Sequence, residues 1–171
     1  KVSSMMVTKR DGAKEPVSLD KITNRVSVLS TGLSIDPIVV AQKAIPGLYN
    51  DITSAEIDNY LAETAAALTV EHPDYSYLAA RIKSNALHKE TPGFIIATKN
   101  LYEDGLLKKS YYDKVMQNAE EIESILDYDR DYSFDYFALT TLIRAYLLRY
   151  ENKTIERPQD LWMRVALTVS A

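Results

Sequence analysis

Four basic side chains lie close together in residues 7–22, within the stretch VTKRDGAKEPVSLDKI. Lys9 and Arg10 lead into a predicted turn, and Lys14 follows that turn. Lys21 falls in the first turn of the helix predicted next. Ammonium and guanidinium groups neutralise phosphate charge, and the free N–H groups at the start of a helix donate hydrogen bonds to phosphate oxygens. This spacing predicts an anion site at the N-terminus of that helix.

The residues alone leave a second interpretation open. A cation in the first turn of a helix opposes the helix dipole, which costs a few tenths of a kcal/mol unless a bound anion offsets it. The same charges also fit a hairpin whose lysines face solvent, because charge runs usually do so. The sequence contains no glycine-rich phosphate loop of the Walker or dinucleotide type. A phosphate ligand would therefore be held by side chains and a helix end.

The composition narrows the classes of function. The 171 residues include 20 Lys and Arg against 24 Asp and Glu, so a nucleic-acid partner is not expected. Cysteine is absent and histidine occurs twice, which excludes thiolate chemistry in these residues and argues against a histidine-rich metal centre. No apolar run approaches the roughly 18 residues that span a bilayer, and no signal peptide is recognisable. We therefore expect a cytoplasmic protein with no metal site and no membrane partner.

The elements that must position the basic residues are a β-hairpin and the helix after it. Asp11-Gly12 is a hairpin turn pair, which predicts strands over Met5–Arg10 and Ala13–Ser18. Pro16 lacks an N–H group, so the second strand is expected at the edge of its sheet. Three more helical patterns follow the first helix, and together they predict a small domain of one hairpin and four helices.

Three of these four helices have a start signal. The signals are Ser18 or Asp20 for the first helix, Asp36-Pro37 for the second and the capping box Thr53-Ser54-Ala55-Glu56 for the third, and the fourth helix follows the break at His72-Pro73-Asp74. The third helix is expected to reach about Val70, and the fourth to cover Tyr75–Lys89. Gly32 is expected to end the first helix.

A boundary is predicted at Thr91-Pro92-Gly93, which divides the chain into domains of residues 1–91 and 92–171. Beyond it, further elements are predicted over Phe94–Tyr102, Tyr111–Leu126, Tyr136–Leu148, a second hairpin that turns near Asn152, and a last helix from Pro158 to Ala171. That last helix lacks a stop signal, so we expect a larger protein to continue from it.

Five segments in the same order carry a resemblance to a known family. The hairpin stretch resembles the opening of the ATP-cone domain at the N-terminus of ribonucleotide reductase large subunits. The segments DITSAEIDNYLAETAAALT, HPDYSYLAARIKSNALHKET, YDRDYSFDYFALTTLIRAYLL and ERPQDLWMRVAL extend the similarity to the eukaryotic type of class I large subunit. The resemblance covers nearly the whole chain from Met6 onward. It implies a mainly α fold, an ATP-cone followed by a helical segment that leads into a ten-stranded α/β barrel beyond this sequence.

The resemblance also implies an effector site for ATP or dATP. Lys9 and Arg10 would lie near the phosphates or the base, and Asp58 near the ribose. Either Ser54 or the adjacent Thr53 matches a threonine of the family. The full set of implied binding residues is Lys9, Arg10, Glu15, Pro16, Val17, Ser18, Leu19, Asp20, Lys21, Ser54, Asp58 and Lys89, with Lys21 and Lys89 on phosphate.

The implied function is allosteric. In this family the nucleotide, with Mg²⁺ on its phosphates, regulates self-association of the large subunit, which works with a small radical-generating subunit to make deoxyribonucleotides. The exposed face of the first helix near Asp20 is a candidate contact surface between subunits. The family's catalytic cysteines have no counterpart here, so this segment would regulate and would contain no catalytic residue.

The sequence leaves two other functions to compare with the allosteric one. The connector ETPGFIIATKNLYEDGLLKKSYYDKV departs from the family, and Ser54 stands for a threonine, so a degenerate ATP-cone that acts as a helical protein-interaction module remains an alternative. A cone-bearing transcriptional repressor is disfavoured, because its zinc ribbon needs cysteines.

Overall fold

The computed structural model describes residues 5–170, which form two compact units. The first unit comprises the chain up to Ala86 together with Phe134–Phe137. The second comprises Leu87–Ser133 and the chain from Ala138 onward. Most of the described residues are helical and the sheets are small, which confirms the predicted mainly α class.

A three-stranded sheet carries the first hairpin. Its strands are β1 (Met6–Thr8), β2 (Lys14–Pro16) and β3 (Ile52–Thr53), in the order β2-β1-β3. The β1–β2 pair is antiparallel, and the β1–β3 pair is parallel. Pro16 lies on an edge strand, as its missing N–H group predicted. The sequence did not indicate β3, because two residues are too few for a strand pattern.

Four helices follow the hairpin. They are α1 (Leu19–Leu29), α2 (Pro37–Ala44), α3 (Ser54–Ala67) and α4 (Asp74–Glu90). Ser18, and not Asp20, caps α1, since its side chain accepts from the Lys21 N–H group. Asp36 caps α2, and Thr53 forms the predicted capping box with Glu56.

Two helix ends differ from the predictions. The third helix was expected to reach Val70, but α3 ends at Ala67 and a 3-10 turn covers Leu68–Val70. The first helix ends at Leu29, before Gly32, and the C-cap N–H of Ser30 donates to main-chain carbonyls of the last turn. Both ends tighten into 3-10-type hydrogen bonds, a common way to satisfy terminal carbonyls.

The hairpin and α1 rest on the core of the first unit. Val7 of β1 and Val26 of α1 are buried, and Ile22 and Leu29 pack beside them, as the helical pattern predicted. The largest fully buried apolar side chains of this core are Ile52, Leu61, Leu78, Ile82, Val26 and Val40. Burial of each such side chain contributes roughly 1.5–3 kcal/mol. The sheet edge that carries the basic residues is thereby held in a fixed position.

The second unit contains the remaining helices and a second small hairpin. They are α5 (Phe94–Glu103), α6 (Lys109–Gln117), α7 (Ala119–Ile125), most of α8 (Tyr136–Ala145), the strands β4 (Arg149–Tyr150) and β5 (Lys153–Thr154), and α9 (Pro158–Val169). Phe94, Val115 and Ile122 form its small apolar core. The β4–β5 pair is antiparallel, and Glu151 and Asn152 adopt positive φ between the strands, which confirms the predicted turn.

The predicted single helix Tyr111–Leu126 is wrong, because Asn118 divides it into α6 and α7. The Asn118 amide donates to the Lys114 carbonyl at 2.7 Å, and short polar side chains that bond their own backbone disfavour helix interiors. The predicted helix Tyr136–Leu148 is also too long, since α8 ends at Ala145.

The last helix has an end signal that the sequence did not reveal. Lys114 of α6 donates to the Leu167 carbonyl at 3.0 Å and to the Ser170 hydroxyl at 2.7 Å. A cation at the C-terminus of a helix stabilises its dipole. The helix ends at Val169, and Ala171 lies outside the described residues. Over residues 5–170, no helix has the length and apolar character needed to cross a membrane.

Candidate functional site

The turn of the first hairpin sets the position of the predicted anion site. Gly12 adopts φ of 86°, a left-handed conformation that favours glycine, and its N–H group donates to the Lys9 carbonyl at 2.9 Å. The Asp11 carboxylate accepts from the Ala13 N–H group at 2.9 Å, which closes the turn. Lys9 and Arg10 are thereby held at the end of β1.

Glu15 joins two of the predicted binding residues. Its Oε1 atom lies 3.5 Å from the Lys9 Nζ atom and 3.4 Å from the Lys21 Nζ atom. Lys9 comes from the β1 end of the hairpin and Lys21 from the first turn of α1, so three elements meet at this carboxylate. The ammonium groups of Lys9 and Lys21 lower the pKa of Glu15. The structure therefore brings positive charge from the hairpin and α1 to one point.

Asp58 is the centre of a second cluster in the first unit. Its side chain is 2% exposed, and its Oδ2 atom accepts from the Arg10 guanidinium at 2.8 Å. Its Oδ1 atom accepts from Arg25 of α1, whose other terminal nitrogen donates to the Asn85 amide oxygen at 3.0 Å. Asp58 thus fixes two arginines from different elements.

Arg25 and Asn85 were missed in the sequence analysis, although a signal for Arg25 existed. Arg25 lies four residues after Lys21, so the two cations share one face of α1. The basic side chains on this face of α1 therefore extend one turn further along the helix, from Lys21 to Arg25, than the sequence analysis predicted. Asn85 lies far along the chain, and no local pattern connects it with Arg25.

The other predicted residues around the hairpin are also placed. Val17 and Leu19 are half-buried against the core, and Asp20 is exposed in the first turn of α1. The Thr53 hydroxyl accepts from the Glu56 N–H group at 3.1 Å, so this threonine acts as a helix cap. Ser54 is the first residue of α3.

Lys89 is the predicted binding residue that belongs to the second unit. It occupies the last turn of α4, in the part of that helix that belongs to the second unit. Its role as a phosphate ligand stays a prediction. Lys9 and Lys21 are the two predicted binding lysines whose side chains meet, at the Glu15 carboxylate.

A polar cluster in the second unit was not predicted. The Nε2 atom of His88 lies 2.7 Å from the Oδ2 atom of buried Asp131, whose Oδ1 atom accepts from the Gln159 N–H group. The Tyr128 hydroxyl donates to Asp160 at 2.6 Å, and burial together with this hydrogen bond raises the pKa of Tyr128. These groups lie on the last turn of α4, the 3-10 segment Tyr128–Ser133 and the start of α9.

Arg157 ties this cluster to the end of α4. Its guanidinium donates to the carbonyl oxygens of His88 and Thr91 and to the Thr91 hydroxyl, at 2.7–2.9 Å. The same group lies 4.5 Å from the ring centre of Tyr128. These contacts join the end of α4, the 3-10 segment and the start of α9 within the second unit.

Comparisons with known families match both parts of the chain. The ATP cone domain matches residues 5–90, and the all-alpha domain of ribonucleotide reductase matches residues 132–171. The first match covers all the hairpin and α1–α4, and with them both clusters of the first unit.

Individual relatives give the same result. The chain is 43% identical to a ribonucleoside-diphosphate reductase large subunit of Dictyostelium discoideum, over 99% of the chain and 21% of the relative. It is 44% identical to large chain 2 of Saccharomyces cerevisiae, over 96% of the chain and 20% of the relative. The Arabidopsis thaliana large subunit is 43% identical over 96% of the chain and 22% of its own length. The chain spans about a fifth of the length of these curated relatives.

The two matches follow one another along the chain, the first over the hairpin and the four helices and the second over the elements beyond residue 132. The ATP cone domain covers half of the chain, and the chain therefore belongs to the ATP-cone family.

Proposed function

We propose that this chain is the allosteric nucleotide-binding region of a ribonucleoside-diphosphate reductase large subunit, with ATP and dATP as alternative effectors. The observation that carries the proposal is the meeting of Lys9 and Lys21 on one carboxylate oxygen at the N-terminus of α1. Two ammonium groups within reach of one anion, next to a helix start, suit a polyphosphate.

The residues around this point fit a nucleotide. Lys9 and Lys21 would hold phosphate oxygens, and Arg10 would add charge from the turn. Asp58 would approach the ribose through lone pairs that its two arginines leave free, since each carboxylate oxygen can accept more than one hydrogen bond. Glu15 to Lys21 would wrap the ligand, with Ser54 at the start of α3 and Lys89 as a further phosphate ligand. Mg²⁺ would arrive with the nucleotide, because phosphate oxygens and water supply most of its ligands.

The proposed mechanism is a shift between association states. ATP and dATP would occupy one site, and different contacts with the protein would favour different assemblies of the large subunit. Asp20 is exposed on α1 beside the site, which makes this face a candidate contact between subunits.

The activity of the whole polypeptide also belongs to this proposal, because the chain spans about a fifth of its relatives. We propose that the parent protein makes deoxyribonucleotides in the cytoplasm, together with a small radical-generating subunit. We also propose that residues 1–91 and 92–171 form two domains, and that an α/β barrel follows them in the parent protein.

Isothermal titration calorimetry with MgATP and with Mg-dATP tests the site. We expect saturable binding to the wild-type chain, and a loss of roughly ten- to a hundredfold in affinity for Lys9→Ala and for Lys21→Ala, since a charge-assisted hydrogen bond contributes roughly 1.5–3 kcal/mol. Lys14→Ala is the matched control, because Lys14 lies in the same hairpin but pairs with Asp51 at 3.0 Å.

The control variant should change the affinity less than twofold. Saturable binding that responds equally to all three lysine variants would contradict the proposed geometry. The absence of any saturable heat with either nucleotide would overturn the proposal and favour a cone fold that acts only as a protein-interaction module.

A further inference from the structure

Four residues from late in the chain belong to the first unit. Phe134–Phe137 lie in that unit, whereas Ser133 before them and Ala138 after them belong to the second. We call Phe134–Phe137 the docked segment. The match to the ATP cone domain ends at residue 90, so the compact first unit contains this segment in addition to the matched stretch.

Tyr136 holds the docked segment on α4. Its N–H group donates to the Ser76 hydroxyl oxygen at 3.1 Å, and its side chain packs against the apolar core of the first unit. The Lys83 ammonium lies 5.8 Å from the centre of the Tyr136 ring. Ser76, Ala79 and Lys83 share one face of α4, and Ala79 is fully buried. This face thus has a small residue between two polar ones, which suits an aromatic ring.

The helix α3 contributes to the same place through a charge. Burial raises the pKa of the Tyr136 phenol, and the negative charge of Glu63 on α3 raises it further. The phenol therefore lies within electrostatic reach of α3, while the main chain of Tyr136 is held by α4. Tyr136 thus senses two helices of the first unit at once.

The same two helices carry the buried cluster beside the proposed nucleotide site. Asp58 on α3 binds both Arg10 and Arg25. Asn85 on α4 accepts from Arg25 and lies two residues after Lys83. Both the docked segment and this cluster therefore depend on the relative position of α3 and α4.

Tyr136 is also the first residue of α8, which continues from Ala138 in the second unit. N–H groups in the first turn of a helix have no partner within that helix, so Ser76 caps α8 from a different element. A helix is a rigid element that can carry a displacement of its first turn along its length. The covalent path from the docked segment into the second unit is therefore a helix and not a loose linker.

We propose that the docked segment is the output element of the first unit, which reports nucleotide binding near Asp58 to the second unit through α8. The inference rests on the proposed function and adds the route by which that site acts on the rest of the chain. Docking orders α3 and α4, so a chain with the segment docked loses less conformational freedom when nucleotide binds. Binding and docking therefore favour each other, and each strengthens the other by the same factor.

Amide hydrogen exchange in the unaltered chain tests the coupling. We expect saturating MgATP to slow exchange of the Tyr136 N–H group by about fivefold or more, which is the lower end of typical couplings between sites. The Ile38 N–H group is the matched control, because it also lies in the first turn of a helix and donates to a side-chain oxygen, from Asp36, at 2.9 Å. An unchanged or faster rate at Tyr136, or equal slowing at both amides, would overturn the inference.

Substitution of Tyr136 tests the reverse effect by calorimetry. Tyr136→Ala should weaken ATP binding by the same factor of about fivefold or more, although Tyr136 is not a proposed nucleotide ligand. Tyr136→Phe keeps the ring and the N–H group, so its affinity should equal that of the wild type. Tyr146→Ala is the matched control, since Tyr146 is a tyrosine of the second unit that is 60% exposed, and it should also bind as the wild type does.

The outcomes separate the two proposals. If the wild type binds ATP and Tyr136→Ala binds it equally well, the output role of the docked segment is wrong and the nucleotide site stands. A loss in Tyr136→Phe or in Tyr146→Ala as large as in Tyr136→Ala would contradict docking through the ring. If the wild type does not bind ATP, both proposals fail. The exchange measurement needs no variant, so misfolding of Tyr136→Ala cannot hide the answer.

Discussion

Asp58 and Arg10 form an ion pair of 2.8 Å in which the carboxylate is 2% exposed. Arg25 binds the second oxygen of the same carboxylate, so one buried anion holds the hairpin turn and α1 together. Such a charge is tolerated because it is paired on both oxygens. Both the arrangement of the proposed site and the stability of the first unit therefore depend on Asp58.

Asp58→Asn should destabilise the first unit by about 3 kcal/mol. The substitution removes the carboxylate charge and leaves the guanidinium groups of Arg10 and Arg25 without a counter-charge in a largely buried environment. Urea unfolding followed by far-UV circular dichroism measures this change. Glu63→Gln is the control, since Glu63 is an exposed carboxylate of the same helix, α3. Equal unfolding free energies for the two variants would show that the Asp58 pairs add nothing to stability.

Gly47→Ala should cost about 1 kcal/mol or less, because the new methyl group would collide with the outer end of the Tyr60 ring, which is 40% exposed and can shift into solvent. A Cβ atom at Gly47 would lie 2.2 Å from the Tyr60 hydroxyl oxygen and 2.3 Å from the ring carbon that carries it. Tyr60→Phe would leave the ring carbon in place, so it should not relieve the collision. Tyr60→Ala should relieve it, and a double-mutant cycle would then show a coupling of about 0.5–1 kcal/mol. Additive effects would exclude the contact.

Arg157→Lys should lower the stability of the second unit by about 1–3 kcal/mol. A single ammonium cannot replace the guanidinium nitrogens that donate to His88 and Thr91. Arg149→Lys is the control, because Arg149 is exposed and its guanidinium donates to the Asn152 carbonyl in a surface turn. Unfolding followed by the fluorescence of Trp162, the single tryptophan, reports on this unit. A loss that is no larger than the control's would contradict the assigned role of Arg157.

Tyr150 should ionise later than an ordinary tyrosine. Its hydroxyl donates to Asp104 at 2.6 Å, and this hydrogen bond raises the pKa of Tyr150 from 10.0 to about 12. Because the pKa is raised in the folded chain, the stabilising contribution is complete below pH 10 and is lost as the pH rises through about 12. An NMR titration of the ring carbon Cζ measures the value.

Asp104→Asn should return the pKa of Tyr150 toward its ordinary value, whereas Glu103→Gln, one residue earlier, should leave it raised. An unchanged pKa in the Asp104 variant would assign the shift to another cause.

The sequence predicted the features that follow from local rules. Asp11-Gly12 formed the expected turn, Pro16 lay on the expected edge strand, and Thr53 with Glu56 formed the expected capping box. Each depends on residues within four positions of one another, where the chemistry of one side chain decides the conformation of its own backbone.

The features that escaped prediction depend on distant residues. Arg25 and Asp58 lie on different helices, and their meeting requires the packed core between them. Lys114 ends α9 from a helix much earlier in the chain. Asn118 is the exception, because its capacity to bond its own backbone was visible in the sequence but was outweighed by the apolar pattern on both sides of it.

The parallel pairing of β1 with β3 has a consequence for how the site comes into being. Val7 faces Ile52 in that register, and Ile52 is fully buried. A short peptide with the sequence of the hairpin would contain Lys9 and Glu15, but it would lack α1, which carries Lys21, and the strand β3 that fixes the hairpin. Since a lone two-stranded hairpin is marginal in water, these charges become a binding site only after a long loop has closed, so the ability to sense a ligand should emerge late in folding.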